Sequence, residues 1–216
     1  MAATWIALPF AFAGFLLGWL SARLTEWVTP PEDLPAIRGK SLILGDPLVQ
    51  ASLAVLWAVI PFILGGDDLL RWVEAGLLTV PLVQVGVTDL RTRYVYTLVA
   101  AIGLALGLAV GWHFHAVDWW WSPVGALGGA VAFGLLYGLG KLLYRGGEPM
   151  ARGDITIAAM VGAGAATAAA TALVYGVIAS GLLAVGVLVV ARSRKVYMPY
   201  GPGLCIGGLI TLLMQR

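Results

Sequence analysis

Charged side chains are scarce in this chain. Only 11% of its 216 residues are Asp, Glu, Lys or Arg, whereas 60% are hydrophobic. A soluble domain of ordinary composition has about 25% charged and about 45–50% apolar residues. With a mean hydropathy of +0.92, the chain is therefore predicted to be an integral membrane protein. Its formal net charge of +2 gives no indication of nucleic-acid binding.

Cysteine and histidine are also rare. The one cysteine, Cys205, excludes an intrachain disulfide and any multi-cysteine metal site, and its apolar neighbours predict a packing role. The two histidines, His113 and His115, have no carboxylate cluster beside them, so we interpret them as part of an interfacial loop next to Trp119–Trp121. The sequence therefore predicts no metal site and no cofactor.

Long apolar segments account for most of the chain. A transmembrane helix needs about 20 predominantly apolar residues. The segment Ile155–Val190 is too long for one span and is predicted to form two short helices with a turn inside Gly162–Tyr175. We therefore predict an all-α polytopic membrane protein with about eight transmembrane helices. The other six spans are Trp5–Leu24, Pro47–Leu64, Leu70–Thr88, Tyr94–Trp112, Val124–Tyr144 and Tyr200–Met214.

The basic residues predict how these spans are oriented. Lys and Arg concentrate in cytoplasmic loops, and eight spans with the N-terminus outside put 11 of the 13 basic residues on the cytoplasmic side. Those 11 are Arg23, Arg38, Lys40, Arg91, Arg93, Lys141, Arg145, Arg152, Arg192, Arg194 and Lys195. Residues 1–216 are predicted to form a single transmembrane domain, in which residues 25–46 are a short cytoplasmic loop too small for its own core.

Two aspartates are predicted at the cytoplasmic ends of these spans. Asp89 is expected to end the third span, where Arg91 or Arg93 can pair with it. Asp154 follows Gly153 at the start of the sixth span, where a helix N-terminus stabilises a carboxylate. Each alone has a structural explanation, as a paired helix-end residue or as an N-cap. Together they can hold one proton between them, as a catalytic pair does.

The segments around both aspartates resemble the motifs of type IV prepilin peptidases, which are intramembrane aspartyl proteases. The segment Asp89–Tyr96 resembles the first catalytic motif, an aspartate followed a few residues later by Ile-Pro, and Ala151–Ile155 resembles the second, Gly-x-Gly-Asp-x-Lys. Three further segments resemble the family's first span, the opening of its second span and the turn before its last span: Phe10–Gly18, Gly45–Gln50 and Met198–Gly203.

The resemblance implies a protease of the bacterial inner membrane that needs no cofactor. Its substrate would be a prepilin or pseudopilin precursor, in which a short basic leader precedes an apolar N-terminal helix. The enzyme would lie in the lipid bilayer and cut after a glycine at the cytoplasmic membrane surface. The implied catalytic residues are Asp89 and Asp154, and the implied substrate-binding or supporting residues are Gly153, Arg91, Arg93 and Arg152.

Several residues depart from the family pattern. Tyr96, Ala151 and Thr156 stand where the family has proline, glycine and lysine. Residues 25–46 contain no cysteine, so the zinc-binding domain of bacterial members is missing, which argues against N-methyltransferase activity. These departures leave open a non-catalytic homologue that binds pilin-like helices. A small proton-coupled transporter is a further alternative, with Glu74, expected near the outer face, as its only other acidic candidate.

Overall fold

Eight α-helices make up nearly all of the chain that the structure, a computed structural model, describes. The described residues are 2–28, 46–66, 68–92, 97–143, 150–191 and 200–215, and they include no β-strand. In chain order the helices are α1 (Ala2–Val28), α2 (Pro47–Leu64), α3 (Leu69–Thr92), α4 (Thr97–Phe114), α5 (Trp121–Leu143), α6 (Arg152–Ala165), α7 (Ala169–Ala191) and α8 (Tyr200–Met214).

The helices have the length and surface of a multi-pass membrane protein. Within the described residues, six helical segments are long and apolar enough to cross a bilayer, and α8 is apolar but shorter. Large apolar side chains cover the outside of the bundle: Trp5, Leu127 and Leu182 are 84%, 65% and 70% exposed. Such a surface suits contact with lipid rather than with water. The six segments are Trp5–Trp27, Pro47–Leu64, Leu69–Arg91, Thr97–Phe114, Trp121–Leu143 and Arg152–Val189.

Two of the helix ends that differ from the predicted spans concern Asp89 and the predicted loop 25–46. The third span was predicted to end at Thr88, but α3 continues to Thr92, so Asp89 lies inside the helix. Leu and Arg, which follow Asp89, are good helix formers, whereas hydropathy alone ends a span at its first charge. Helix α1 likewise continues to Val28, which makes the start of the predicted loop 25–46 helical. The rest of that loop, residues 29–45, lies outside the described residues.

The long apolar segment after Arg152 is broken into two helices, as predicted. A short 3-10 turn, Ala166–Ala168, separates α6 from α7. Ala166 has a φ of 46°, a left-handed backbone conformation that interrupts an α-helix. The break therefore lies within the predicted range Gly162–Tyr175, but at an alanine rather than at a glycine.

Helix α6 is the most enclosed element of the bundle. It packs against α4, α5, α7 and α8, and every residue from Ile157 to Ala166 is buried. Small residues allow this because they let helix backbones approach closely. A Cβ atom added to Gly162 would overlap the backbone carbonyl of Gly125 in α5, and one added to Gly125 would overlap that of Gly162. The position of α6 is thus fixed by direct contact between backbones.

Contacts between helices define two ends of the bundle. At one end, Arg91 late in α3 pairs with Asp46, the N-cap of α2. At the other end, Glu74 early in α3 pairs with His113 late in α4. We call the first the basic end, because four of the five lysines and arginines in the described residues lie there: Arg23, Arg91, Lys141 and Arg152, with Arg71 at the opposite end. This distribution agrees with the predicted alternation of the spans, and the side that faces the cytoplasm stays a prediction.

Candidate active site

Among the described residues, Asp89 is one of two buried carboxylates at the basic end. It lies three residues before the end of α3, and only 8% of its surface is exposed. The predicted pairing with Arg91 is wrong, because Nη1 of Arg91 donates to Oδ2 of Asp46 at 2.8 Å. Residues two apart on a helix do not face each other, so the helical continuation of α3 turns Arg91 away from Asp89. The other predicted partner, Arg93, lies outside the described residues.

Asp154 is the second buried carboxylate, with 2% of its surface exposed. The predicted N-cap role is wrong, because Ala151 is the N-cap and Asp154 is the third residue of α6. Oδ2 of Asp154 accepts a hydrogen bond from the backbone N–H of Ala151 at 3.1 Å. In return, the N–H of Asp154 donates to the carbonyl of Ala151, also at 3.1 Å. The carboxylate therefore fixes the first turn of α6, at the end where the helix dipole favours negative charge.

The structure brings these two aspartates together. Their carboxyl groups are close enough to interact electrostatically, although they lie on different helices and 154 − 89 = 65 residues apart in sequence. The thiol of Cys205 in α8 lies within electrostatic range of both. Within the described residues, neither carboxylate is part of a salt bridge. Two carboxylates that share a buried site can hold one proton between them.

Gly201 closes the site from α8. A Cβ atom added to it would overlap Oδ2 of Asp89 and would lie 2.9 Å from Cδ1 of Ile157. Ile157 is three residues after Asp154 on α6, so Gly201 marks the point where α3, α6 and α8 meet. No local pattern around Gly201 indicates this contact, because Gly201 lies far along the chain from either aspartate. It was singled out only as part of the segment Met198–Gly203.

The residues predicted to support the pair differ in their position relative to it. Gly153, the second residue of α6, is partly exposed and precedes Asp154 directly. The side chain of Arg152 is exposed, and its Nε donates to the hydroxyl of Tyr137 in α5 at 3.4 Å. Arg152 therefore binds the neighbouring helix rather than Asp154. Thr156, where the family has lysine, is partly buried in the first turn and a half of α6.

A buried polar network next to Asp89 was not predicted. Nε2 of Gln84 donates to the hydroxyls of Thr25 at 3.0 Å and Thr88 at 3.3 Å, and its Oε1 accepts from Ser21 at 3.0 Å. The network ties α1 to the half of α3 that carries Asp89. A signal for it exists in the sequence, since Gln84 and Thr88 are four residues apart and thus share one face of a helix. Polar side chains on one face of an apolar helix form hydrogen bonds with other helices inside the bundle.

The two histidines occupy the opposite end of the bundle. His113 belongs to the last turn of α4 rather than to the predicted loop, and its Nδ1 lies 2.6 Å from Oε1 of Glu74. His115 contacts the side chain of Gln215 through Nδ1 and the carbonyl of Gly164 through Nε2, the latter at 2.9 Å. Burial lowers the pKa of the His115 imidazole, despite these hydrogen bonds. Within the described residues, no three His, Cys, Asp or Glu side chains cluster as metal ligands would.

Comparisons of the chain with protein-family models, with curated proteins and with solved structures gave no match. The resemblance to prepilin peptidases therefore remains a prediction from the motif residues. What the site can do chemically follows from its own geometry: two buried carboxylates lie on separate helices at one end of a membrane bundle, and a glycine of a third helix lies against one of them, Asp89.

Proposed function

We propose that this protein is a membrane aspartyl endopeptidase whose catalytic residues are Asp89 and Asp154. The observation that carries the proposal is the proximity of these two buried carboxylates, which lie within electrostatic range of each other and lack a salt bridge within the described residues. Ionisable residues in membrane spans are costly and usually have a function. A pair of carboxylates that share one proton is the arrangement with which aspartic proteases activate water.

The ionised carboxylate of the pair acts as general base and the protonated carboxyl as general acid. The ionised carboxylate removes a proton from a water molecule, whose oxygen then attacks the peptide carbonyl. The protonated carboxyl donates its proton to the carbonyl oxygen, and a proton passes to the leaving amine as the C–N bond breaks. Because the pair titrates as a unit, neither Asp89 nor Asp154 is assigned permanently as base or acid.

The proposed substrate is a prepilin-like or pseudopilin-like precursor. The motifs around Asp89 and Asp154 suggest this class, and its short basic leader suits a site whose carboxylates have no cationic partner among the described residues. The proposal includes eight spans, an N-terminus outside, and a site that faces the cytoplasm across a bacterial inner membrane. The concentration of basic residues at the basic end supports this orientation.

A proton-coupled transporter fits the contacts less well. Glu74 and Asp89 are 15 residues apart on α3, which is about 22 Å along a helix. The buried polar side chains between them are bonded within the protein: Thr79 donates to the carbonyl of Gly76, and Gln84 belongs to its network with α1. A path for ions would need polar groups that face a cavity near the midplane.

The second candidate is a homologue that binds pilin-like helices without cutting them. Ala151 and Thr156 favour it, because they replace the glycine and the lysine of the family's second motif. A lysine two residues after Asp154 would add a positive charge close to the pair. Its replacement by threonine removes that charge while leaving the carboxylates in place, so binding and catalysis have to be measured separately.

The test is cleavage of a panel of prepilin-like precursors by the purified full chain in lipid nanodiscs. Asp89→Asn and Asp154→Asn should each lower the cleavage rate at least about 100-fold, the lower range for loss of a general acid or base. Asp118→Asn, at an exposed position in the loop after α4, serves as the matched control and should cleave normally. Wild-type rates in both site variants would reject the peptidase, and binding without turnover by the wild type would favour the second candidate.

A further inference from the structure

An apolar groove of about 520 Å³ runs along the outside of the bundle between α2, α3 and α8. Helices α2 and α8 both pack against α3 but make little contact with each other, so α3 forms the floor between two walls. Apart from Ser52, every lining residue is apolar. Its lining includes Val55 and Leu56 on α2, Val87 and Leu90 on α3, and Pro202 and Ile206 on α8.

One end of this groove is lined by residues that directly follow Asp89 and Gly201 in the sequence. Leu90, which lines the groove, follows Asp89 directly, and Pro202 follows Gly201, the residue against the Asp89 carboxylate. Cys205 also lines the groove and lies within electrostatic range of both aspartates. A segment that occupies the groove therefore has one end beside the pair.

We propose that the groove binds the apolar transmembrane helix of the substrate and so presents the preceding peptide bond to Asp89 and Asp154. This inference rests on the proposed function. The lining residues of α3 extend from Leu82 to Leu90, nine residues or about 12 Å of helix. The groove thus receives just over two turns of a docked helix, through side chains at positions i, i+3, i+4 and i+7. A small exposed residue in its lining, Ala51, allows a close approach.

Charge favours a peptide over a lipid as the occupant. A lipid tail would match the apolar walls equally well, but its phosphate headgroup would lie beside two carboxylates that have no salt bridge within the described residues. Like charges placed together oppose binding, whereas opposite charges favour it. A helix that is apolar along its length and basic at one end complements both the walls and the acidic end of the groove.

Photo-cross-linking tests this proposal without requiring catalysis. A benzophenone amino acid replaces Val55 in the groove wall or, as the matched control, Val185 on α7; these residues are 63% and 58% exposed. The probe is a synthetic peptide with a lysine leader, a glycine and about twenty apolar residues, the length of a membrane span, added to the full chain in phosphatidylcholine nanodiscs. We expect at least tenfold more cross-linked peptide from position 55 than from position 185. Adding Val87→Trp, which fills the groove floor, should remove that excess.

Equal cross-linking from the two positions would overturn the proposal. A photoreactive lipid that cross-links at position 55 and is not displaced by the peptide would also overturn it, as would a cross-link between two copies of the chain without peptide. Cleavage measured in parallel separates the two hypotheses. If the peptide is captured at position 55 but never cut, the result supports substrate binding in the groove and rejects the peptidase activity. Peptide that is cut through Asp89 and Asp154 without preferential capture rejects the groove and keeps the peptidase.

Discussion

Adding a single methyl group to Gly129 in α5 should force α5 away from α6. A Cβ atom at this position would overlap the carbonyl oxygen of Ala158, and it would lie 2.7 Å from the carbonyl carbon of Ala158 and 3.3 Å from the nitrogen of Ala159. All three atoms belong to the backbone of α6, so no side-chain rotation relieves the contact. Because protein interiors are close-packed, one of the two helices has to move.

The neighbouring residue provides a matched control. Nothing lies within 4 Å of a Cβ atom added to Gly128, so Gly128→Ala introduces the same methyl group into the same helix without a contact. Alanine is favoured over glycine in a helix by about 0.8–1.0 kcal/mol, and this gain applies to both variants. The difference in unfolding free energy between the two variants therefore measures the cost of the contact with α6 alone. Overpacking a well-packed site costs about 1–3 kcal/mol, and Gly129→Ala should be less stable than Gly128→Ala by that amount.

The assay is reversible unfolding in mixed micelles, followed by far-ultraviolet circular dichroism, for the wild type and both variants. Precursor cleavage by the same samples gives a second measure, because Ala158 is one helical turn after Asp154 and a displaced α6 carries that aspartate with it. We expect Gly129→Ala to be both less stable and less active than Gly128→Ala, and Gly128→Ala to keep the activity of the wild type with a stability at least as high. If both variants unfold at the same midpoint, the proposed backbone contact between α5 and α6 is wrong.

Three further predictions concern the site and the two ends of the bundle. Gly201→Ala should lower precursor cleavage at least tenfold, because its methyl group displaces the Asp89 carboxylate; wild-type cleavage would contradict this contact. The lowered pKa of His115 means that the unfolded chain binds its proton more readily, so stability is fully present above about pH 6.5 and falls as the pH drops below it. His115→Gln should flatten that dependence in thermal unfolding between pH 5 and 8, and an unchanged slope would refute this origin. Arg91→Gln should cost at most about 1 kcal/mol of stability, since its ion pair with Asp46 is partly exposed, and should keep its activity; loss of activity would mean that the arginine acts on the pair.

Features that depend on composition and local pattern could be predicted from the sequence. The helical membrane class follows from the apolar content, and the break between α6 and α7 follows from the excess length of the segment Ile155–Val190. The basic residues predicted which helix ends lie together, and the contact between Arg91 and Asp46 agrees with that arrangement. The motifs also singled out Asp89 and Asp154, the two carboxylates that the structure brings together.

Features that depend on helix rotation could not be predicted in the same way. From hydropathy, the third span is predicted to end at Thr88. Arg91 is then the predicted partner of Asp89 because it is close in sequence. The continuation of α3 turns the arginine toward Asp46 instead. Gly201 had no local signal at all, because its contact with Asp89 exists only once α3 and α8 are packed. Such contacts are set by the tertiary arrangement rather than by spacing along the chain.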